Sequence, residues 1–235
     1  MKIILSSSKE MAFDNKIDKK IKLNEISQEI LKEIQNLSKA DLQKLLKVSD
    51  KIIDEVYGYY QDFDKNPAYY AIDMYKGMAF KEMDFGATDN FARDHILILS
   101  AFYGPVKTDD LVKPYRLDFN CGLKVKGMSL KKLWADYYNN YFEKSERILN
   151  LASNEFSSLI NRDDFDFIDF DFYEVRDDKI KRHSTISKKL RGKMANFIVK
   201  NKIASLDDLK YFNDNGFLYD KENSNEILYV FRRDL

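Results

Sequence analysis

Cysteine occurs once in this chain, histidine twice, proline three times and glycine eight times among 235 residues. The single cysteine, Cys121, excludes an internal disulfide and any cysteine-cluster metal site. So few prolines and glycines argue against long linkers and low-complexity segments. The two histidines, His95 and His183, are not spaced as a metal site, and His95 borders an apolar run and reads as structural. Net charge is also lacking: 39 Lys and Arg balance 39 Asp and Glu. The total therefore says nothing about partners, and only the distribution of charge can. No apolar run approaches the roughly 20 residues that span a bilayer. The short run from Ile3 does not make a signal-peptide core. A cytoplasmic chain with no membrane contact is expected. There is no G-x-G-x-x-G, Walker A, H-E-x-x-H or G-x-S-x-G motif, and no cofactor is expected.

What is present suffices for a packed core, with 44% hydrophobic and 14% aromatic residues. Three continuous apolar runs, KIILS (2–6), HILILSAFYG (95–104) and ILNLAS (148–153), predict buried central strands. Apolar residues at helical spacing predict a helix over 25–37. A second is predicted from the Ser38–Asp41 capping box through Val56. Pro67 opens a predicted helix over 67–76, and further helices are predicted over 129–145, 187–202 and 205–212. Residues 106–119 read as a long connection. Hairpins are predicted near 166–186, with Asp177 and Asp178 at the turn, and near 216–232. The expected fold is α+β: one compact domain over 1–235, with a central mixed sheet surrounded by helices.

The charge distribution is uneven. Residues 179–202 hold nine basic residues and no acid, whereas 163–178 hold eight acids and one arginine. In the acidic block, Asp alternates with Phe, the pattern of a strand with one solvated face; a hard-cation site is the sharper alternative. In the basic helix, Leu190, Met194, Phe197 and Ile198 form an apolar stripe, with Lys188, Lys189, Arg191, Lys193, Lys200 and Lys202 beside it. Gly192 allows close approach to the helix backbone. Such a face suits a polyanion, unless the preceding acids neutralise it internally. In KPYRLDF (113–119), Tyr115 beside Arg116 suits base stacking and phosphate clamping. The same arginine also suits an internal brace with Asp110 or Asp118. Cys121 reads as an incidental thiol rather than a reactive one.

These segments resemble the YaaA family of bacterial peroxide stress proteins. DHILILSAFYGPVKTDDLVKPYRLDF is similar to the family's LSGLYG…DL…PYRLEM signature. KIILSSSKE resembles the family's opening ILISPAKT, LLKVSDKI resembles LMKISDKL, and ILNLASNEF resembles INLASDEYF. SKKLRGKMANFIVKNKI resembles AKKARGLMSRFIIENR. The likeness runs over about nine tenths of the chain. It departs at Ser7, Glu10 and Ala101, where the family has Pro, Thr and Gly. The resemblance implies protection during hydrogen peroxide stress by limiting free intracellular iron. It also implies binding of duplex or branched DNA, with little sequence preference, through a basic cleft and a helix-hairpin-helix-like element. Carried onto this chain, its DNA-binding residues fall on Lys9, Lys51, Tyr115, Arg116, Lys188, Lys189 and Arg191, and the charge of the basic helix adds Lys193 to the expected DNA contacts. A signature pocket falls on Ser49, Asp50, Tyr103, Ser153 and Glu155. A monomer is expected.

Two readings from other classes stay open: an enzyme processing a nucleobase or nucleotide in that pocket, and an iron-sequestering protein using carboxylates. Lys9, Ser49, Lys51, Tyr103, Arg116 and Lys189 are expected to surround one concave site.

Overall fold

The computed structural model describes every residue from Met1 to Leu235 except position 178. The chain opens with β1 (Lys2–Ser6). Three helices follow a looped segment: α1 (Glu25–Gln35), α2 (Lys39–Leu46) and α3 (Asp50–Gln61). Asn24 and Ser38 cap the first two, accepting from the amides of Ser27 at 2.8 Å and Asp41 at 3.2 Å. The single helix predicted from Ser38 to Val56 is in fact two. The break lies at Lys47, whose φ of 51° is left-handed and ends α2. The helix predicted over 67–76 is shortened to α4 (Ala71–Met74), because β2 (Tyr69–Tyr70) gives its backbone to a strand partner. One turn of 3-10 helix at Phe80–Glu82 precedes α5 (Asn90–His95) and β3 (Ile96–Ser100). The connection expected over 106–119 takes in the end of β4 (Gly104–Lys107) and all of β5 (Leu111–Val112); β4 turns back on β3, and β5 pairs with β2. A small ladder, β6 (Lys124–Val125) and β7 (Met128–Ser129), leads to α6 (Leu130–Tyr141), capped by Ser129. Next come β8 (Arg147–Asn150), α7 (Asn154–Ser157), β9 (Asp166–Arg176) and β10 (Lys179–Lys181). The chain ends with α8 (Ser184–Lys200), α9 (Leu206–Leu209), β11 (Leu218–Tyr219) and β12 (Leu228–Asp234).

Among the described residues, eight strands form one mixed sheet in the order β11-β12-β9-β8-β1-β3-β4, with β10 attached to β9. The five strands from β12 to β3 run parallel, and the edges are antiparallel. The three apolar runs fill the centre as β1, β3 and β8. Ile3, Ile4 and all of β3 are buried, as expected for strands covered on both faces. Both predicted hairpins form, as β9–β10 and β11–β12. Asp177 sits at the first turn, while Asp178 lies outside the described residues. After β1 the chain returns on one side as β3 and later on the other as β8. The carboxyl end of β1 is therefore a switch point, where open sheets of this kind leave a crevice.

The acidic block is more than a solvated strand. β9 lies inside the sheet between β8 and β12. Phe170 and Phe172 pack against Phe231 on the buried face, at centroid distances of 6.3 and 5.7 Å. Each carboxylate of β9 finds an arginine: Asp166 meets Arg147, Asp169 meets Arg162, Asp171 meets Arg182, and Glu174 meets Arg233. Asp169 also accepts from Asn150 Nδ2 at 2.7 Å. Among the described residues, no helix is long and apolar enough to cross a membrane.

Candidate functional site

A cavity of about 410 Å³ opens at the carboxyl ends of β1 and β8. The ends of the two strands are tied together beneath it. Ser153 N donates to Ser6 Oγ at 2.9 Å, Ser6 Oγ lies 3.2 Å from Ser153 Oγ, and Leu151 N donates to Ile4 O at 3.0 Å. The segment Ser6–Glu10 forms one wall, and Ser153, Glu155 and Phe156 form a second. The opposite side is closed by residues 77–80 and by Lys188 and Arg191 of α8. Gly192 explains why α8 lies so close: a Cβ there would stand 2.0 Å from the carbonyl oxygen of Ala79. The close approach allowed by that glycine is therefore to the protein's own backbone, and it fixes α8 as the roof of the cavity.

The lining charges are mixed. Lys9 pairs with Asp118. Glu155 Oε1 accepts from the amide of Phe119 at 3.0 Å. Burial first, and then the charge of Asp118, push the Glu155 carboxyl above the usual glutamate range, against the pull of that amide and of Lys9. Burial lowers the pKa of Arg191, with Asp171 and Asp169 of β9 drawing it back. The Nε of Arg191 is buried with no hydrogen-bond partner in the protein. Buried donors are nearly always paired, so this one is an exception that needs a reason.

A second cavity, of about 950 Å³, adjoins the first and shares Lys9 and Asp118 with it. Its walls come from α1 and α2 on one side and residues 116–124 on the other. Lys44, Lys47, Arg116 and Lys124 line it, with Glu33 and Asp41 as the acids besides Asp118. Taken together, the two cavities present seven cations and five acids in a chain of zero net charge. One of those acids, Glu10, is already engaged by Lys81 outside the cleft.

The KPYR signature is held from behind. The Tyr103 hydroxyl donates to Lys113 O at 2.9 Å and accepts from Lys113 N at 2.8 Å. The Tyr60 hydroxyl does the same for Arg116, at 2.6 and 3.0 Å. Two buried tyrosines thus clamp the backbone on either side of Tyr115 and aim Arg116 into the second cavity. Tyr115 itself is 2% exposed. Its hydroxyl meets Tyr75 OH and Ser100 Oγ, each at 2.9 Å. Base stacking on Tyr115 is therefore ruled out, because its ring belongs to the core. Ala101 is not in the left-handed region; Gly104 is, at φ 81°, so the departure at Ala101 strains nothing.

The structure brings Lys9, Ser153, Glu155, Lys188 and Arg191 to one cavity, and Lys9 and Arg116 to the other. The wider convergence fails. Tyr103 is a core residue, 9% exposed. Ser49 starts α3, and Asp50 accepts from Gln43 Nε2 at 2.6 Å. Ser49, Asp50 and the exposed Lys51 line neither cavity, although they follow directly on Lys47, which lines the second. Lys189 is exposed outside both. Lys193 is paired with Asp214 at 2.7 Å, with Glu82 at 4.0 Å, and Lys200 with Asp84 at 2.8 Å. The basic helix is thus partly neutralised, but largely by carboxylates outside the acidic block. Lys44, Lys47 and Lys124 were missed by sequence reasoning, since each sits singly among mixed charges and no local run marks them.

Among the described residues, no group of three or more His, Cys, Asp or Glu side chains is placed to hold a metal ion. Cys121 lines the second cavity, and burial raises its thiol, as the incidental reading expects.

Comparison with known proteins agrees with the resemblance. The family model described as peroxide stress protein YaaA matches residues 1–223. A UPF0246 protein of Fusobacterium nucleatum is 35% identical over 245 residues, covering 99% of each chain. A UPF0246 protein of Crocosphaera subtropica is 36% identical over 252 residues, covering 98% of this chain and 99% of its own. Another, from Francisella tularensis subsp. novicida, is 32% identical over 254 residues, covering 99% and 100%. With the whole cleft and all of the sheet but β12 inside the matched span, the chain belongs to the YaaA family of peroxide stress proteins.

Proposed function

We propose that this chain is a cytoplasmic, monomeric protein that protects against peroxide by binding DNA along the double cleft and by limiting free iron. The observation carrying the DNA reading is the excess of cations along two adjoining cavities of a neutral protein. A strip of Lys and Arg that neutralises phosphates gains affinity by releasing counterions. The pair α2–α3, joined through left-handed Lys47, supplies the helix-hairpin-helix-like element that the resemblance implies. It carries Lys44 and Lys47 on the cleft wall and Lys51 just beyond. On this reading, limitation of free iron follows from what the cleft binds. The test is fluorescence anisotropy with labelled duplex and branched DNA. Wild type is expected to bind both, and the double variant R116E/K124E to lose binding while keeping its thermal melt. Retained binding in that variant overturns the reading.

One observation favours a second reading, an enzyme acting on a nucleobase or nucleotide. Burial raises the Glu155 carboxyl above the usual glutamate range within a cavity that also presents Lys9, Lys188 and Arg191.

A further inference from the structure

The cavity beneath α8 differs in character from the outer groove. Its roof places Lys188 and the guanidinium of Arg191 side by side, one helical turn apart. The Nε of Arg191 is closed off even from a water-sized contact, so the terminal NH groups of the guanidinium are the ones open to the cavity. The facing wall carries the hydroxyls of Ser7 and Ser8, and Glu155 stands beyond them. The rest of the lining is apolar, from Leu5, Phe80, Leu117, Leu151 and Phe156. A volume of about 410 Å³ falls within the range of small-molecule sites. Such a cavity recognises a molecule that is anionic at one end, flat and apolar in the middle, and capable of hydrogen bonding at the other.

We propose that this cavity binds a nucleoside monophosphate unit, with the phosphate on Lys188 and Arg191, the base against the apolar lining, and Glu155 hydrogen-bonded to a polar edge of the base or sugar. A forked guanidinium with a lysine beside it suits a phosphate better than a carboxylate alone. The inference deepens the nucleotide reading above and stands apart from the groove's contact with a DNA strand. The unit has two possible sources: a free mononucleotide, or the terminal nucleotide of a strand lying in the groove.

The experiment is titration calorimetry on the full chain with adenosine 5′-monophosphate, thymidine 5′-monophosphate, inorganic phosphate and adenosine. At least one monophosphate is expected to bind about tenfold more tightly than adenosine or phosphate. Lys188→Ala and Arg191→Gln are each expected to weaken it by about tenfold or more. Lys188 is exposed, so its variant keeps the test open if Arg191→Gln fails to fold. Competition by a 5′-phosphorylated single strand assigns the unit to a strand end, and lack of competition assigns it to the free nucleotide. No binding of either monophosphate at millimolar concentration, or unchanged binding in both folded variants, overturns the proposal. Strand binding without mononucleotide binding overturns it as well and leaves the groove reading standing, whereas loss of the groove reading alone shows as mononucleotide binding without strand binding.

Discussion

Replacing Gly192 by alanine tests whether α8 is fixed as the roof of the cleft. The new Cβ would stand 2.0 Å from Ala79 O, 2.7 Å from Ala79 C and 2.8 Å from Ala79 Cα, all backbone atoms that cannot swing aside. Ordinary contact begins near 3.4 Å, so helix and loop must separate by about 1.4 Å at that point. Overpacking of this kind costs about 1–3 kcal/mol, and more when backbone must move. Alanine returns about 1 kcal/mol through helix propensity. A net loss of roughly 1–2 kcal/mol lowers the melting temperature by roughly 2–8 °C in a domain of this size. Moving the roof also carries Lys188 and Arg191 away from Ser7 and Ser8, so ligand affinity in the cavity falls even at temperatures where the variant is folded. Circular dichroism melts and calorimetry on one preparation read both effects. A variant as stable as wild type, or more stable, with unchanged binding would refute the packing argument.

Tyr103→Phe removes both hydrogen bonds to the Lys113 backbone and leaves a buried amide and carbonyl unpaired. A loss of roughly 1–3 kcal/mol is expected in denaturant unfolding, together with weaker binding by the Arg116 that this clamp helps to aim. Glu155 ionises above the ordinary glutamate range, so lowering the pH neutralises it while ordinary carboxylates stay charged. Anion affinity in the cavity should therefore rise as pH falls through that range. Glu155→Gln should bind tightly and lose this part of the pH dependence; Asp118 and Lys9, the charged groups acting on Glu155, remain in place. The same raised pKa gives stability at low pH that is lost as pH rises through the folded value, so Glu155→Gln should melt slightly above wild type at neutral pH. Asp169→Asn together with Asp171→Asn removes the partners of Arg162 and Arg182. It should lower the melting temperature rather than simply improve DNA binding.

The sheet centre was legible because a strand buried on both faces needs an unbroken apolar run, and β1, β3 and β8 carry the three that occur. Local caps were legible too, as at Ser38. What stayed hidden depended on distant partners. Nothing near Lys47 announces a left-handed residue, since it is neither glycine nor asparagine. Asp169 and Asp171 alternate with Phe as in a half-wet strand, and only the fold brings Arg162 and Arg182 to them. Tyr115 reads as a surface ring because its hydroxyl is polar, yet Tyr75 and Ser100 satisfy that hydroxyl inside the core. The lower cavity was half visible through Lys9, Ser153, Glu155, Lys188 and Arg191. The outer groove was not, because its lysines come from segments about 80 residues apart and form no motif.

The most direct measurement is the salt dependence of DNA affinity in two double variants. One, Lys44→Ala with Lys124→Ala, strips the groove. The other, Lys193→Ala with Lys200→Ala, strips cations of α8 that Asp214 and Asp84 already hold. Each phosphate contact contributes about 0.9 to the slope of log affinity against log salt. The groove variant should lose up to about 1.8 of that slope while the helix variant keeps the wild-type value. A wild-type slope in the groove variant, with the loss appearing in the helix variant, would contradict the cleft as the DNA-binding surface.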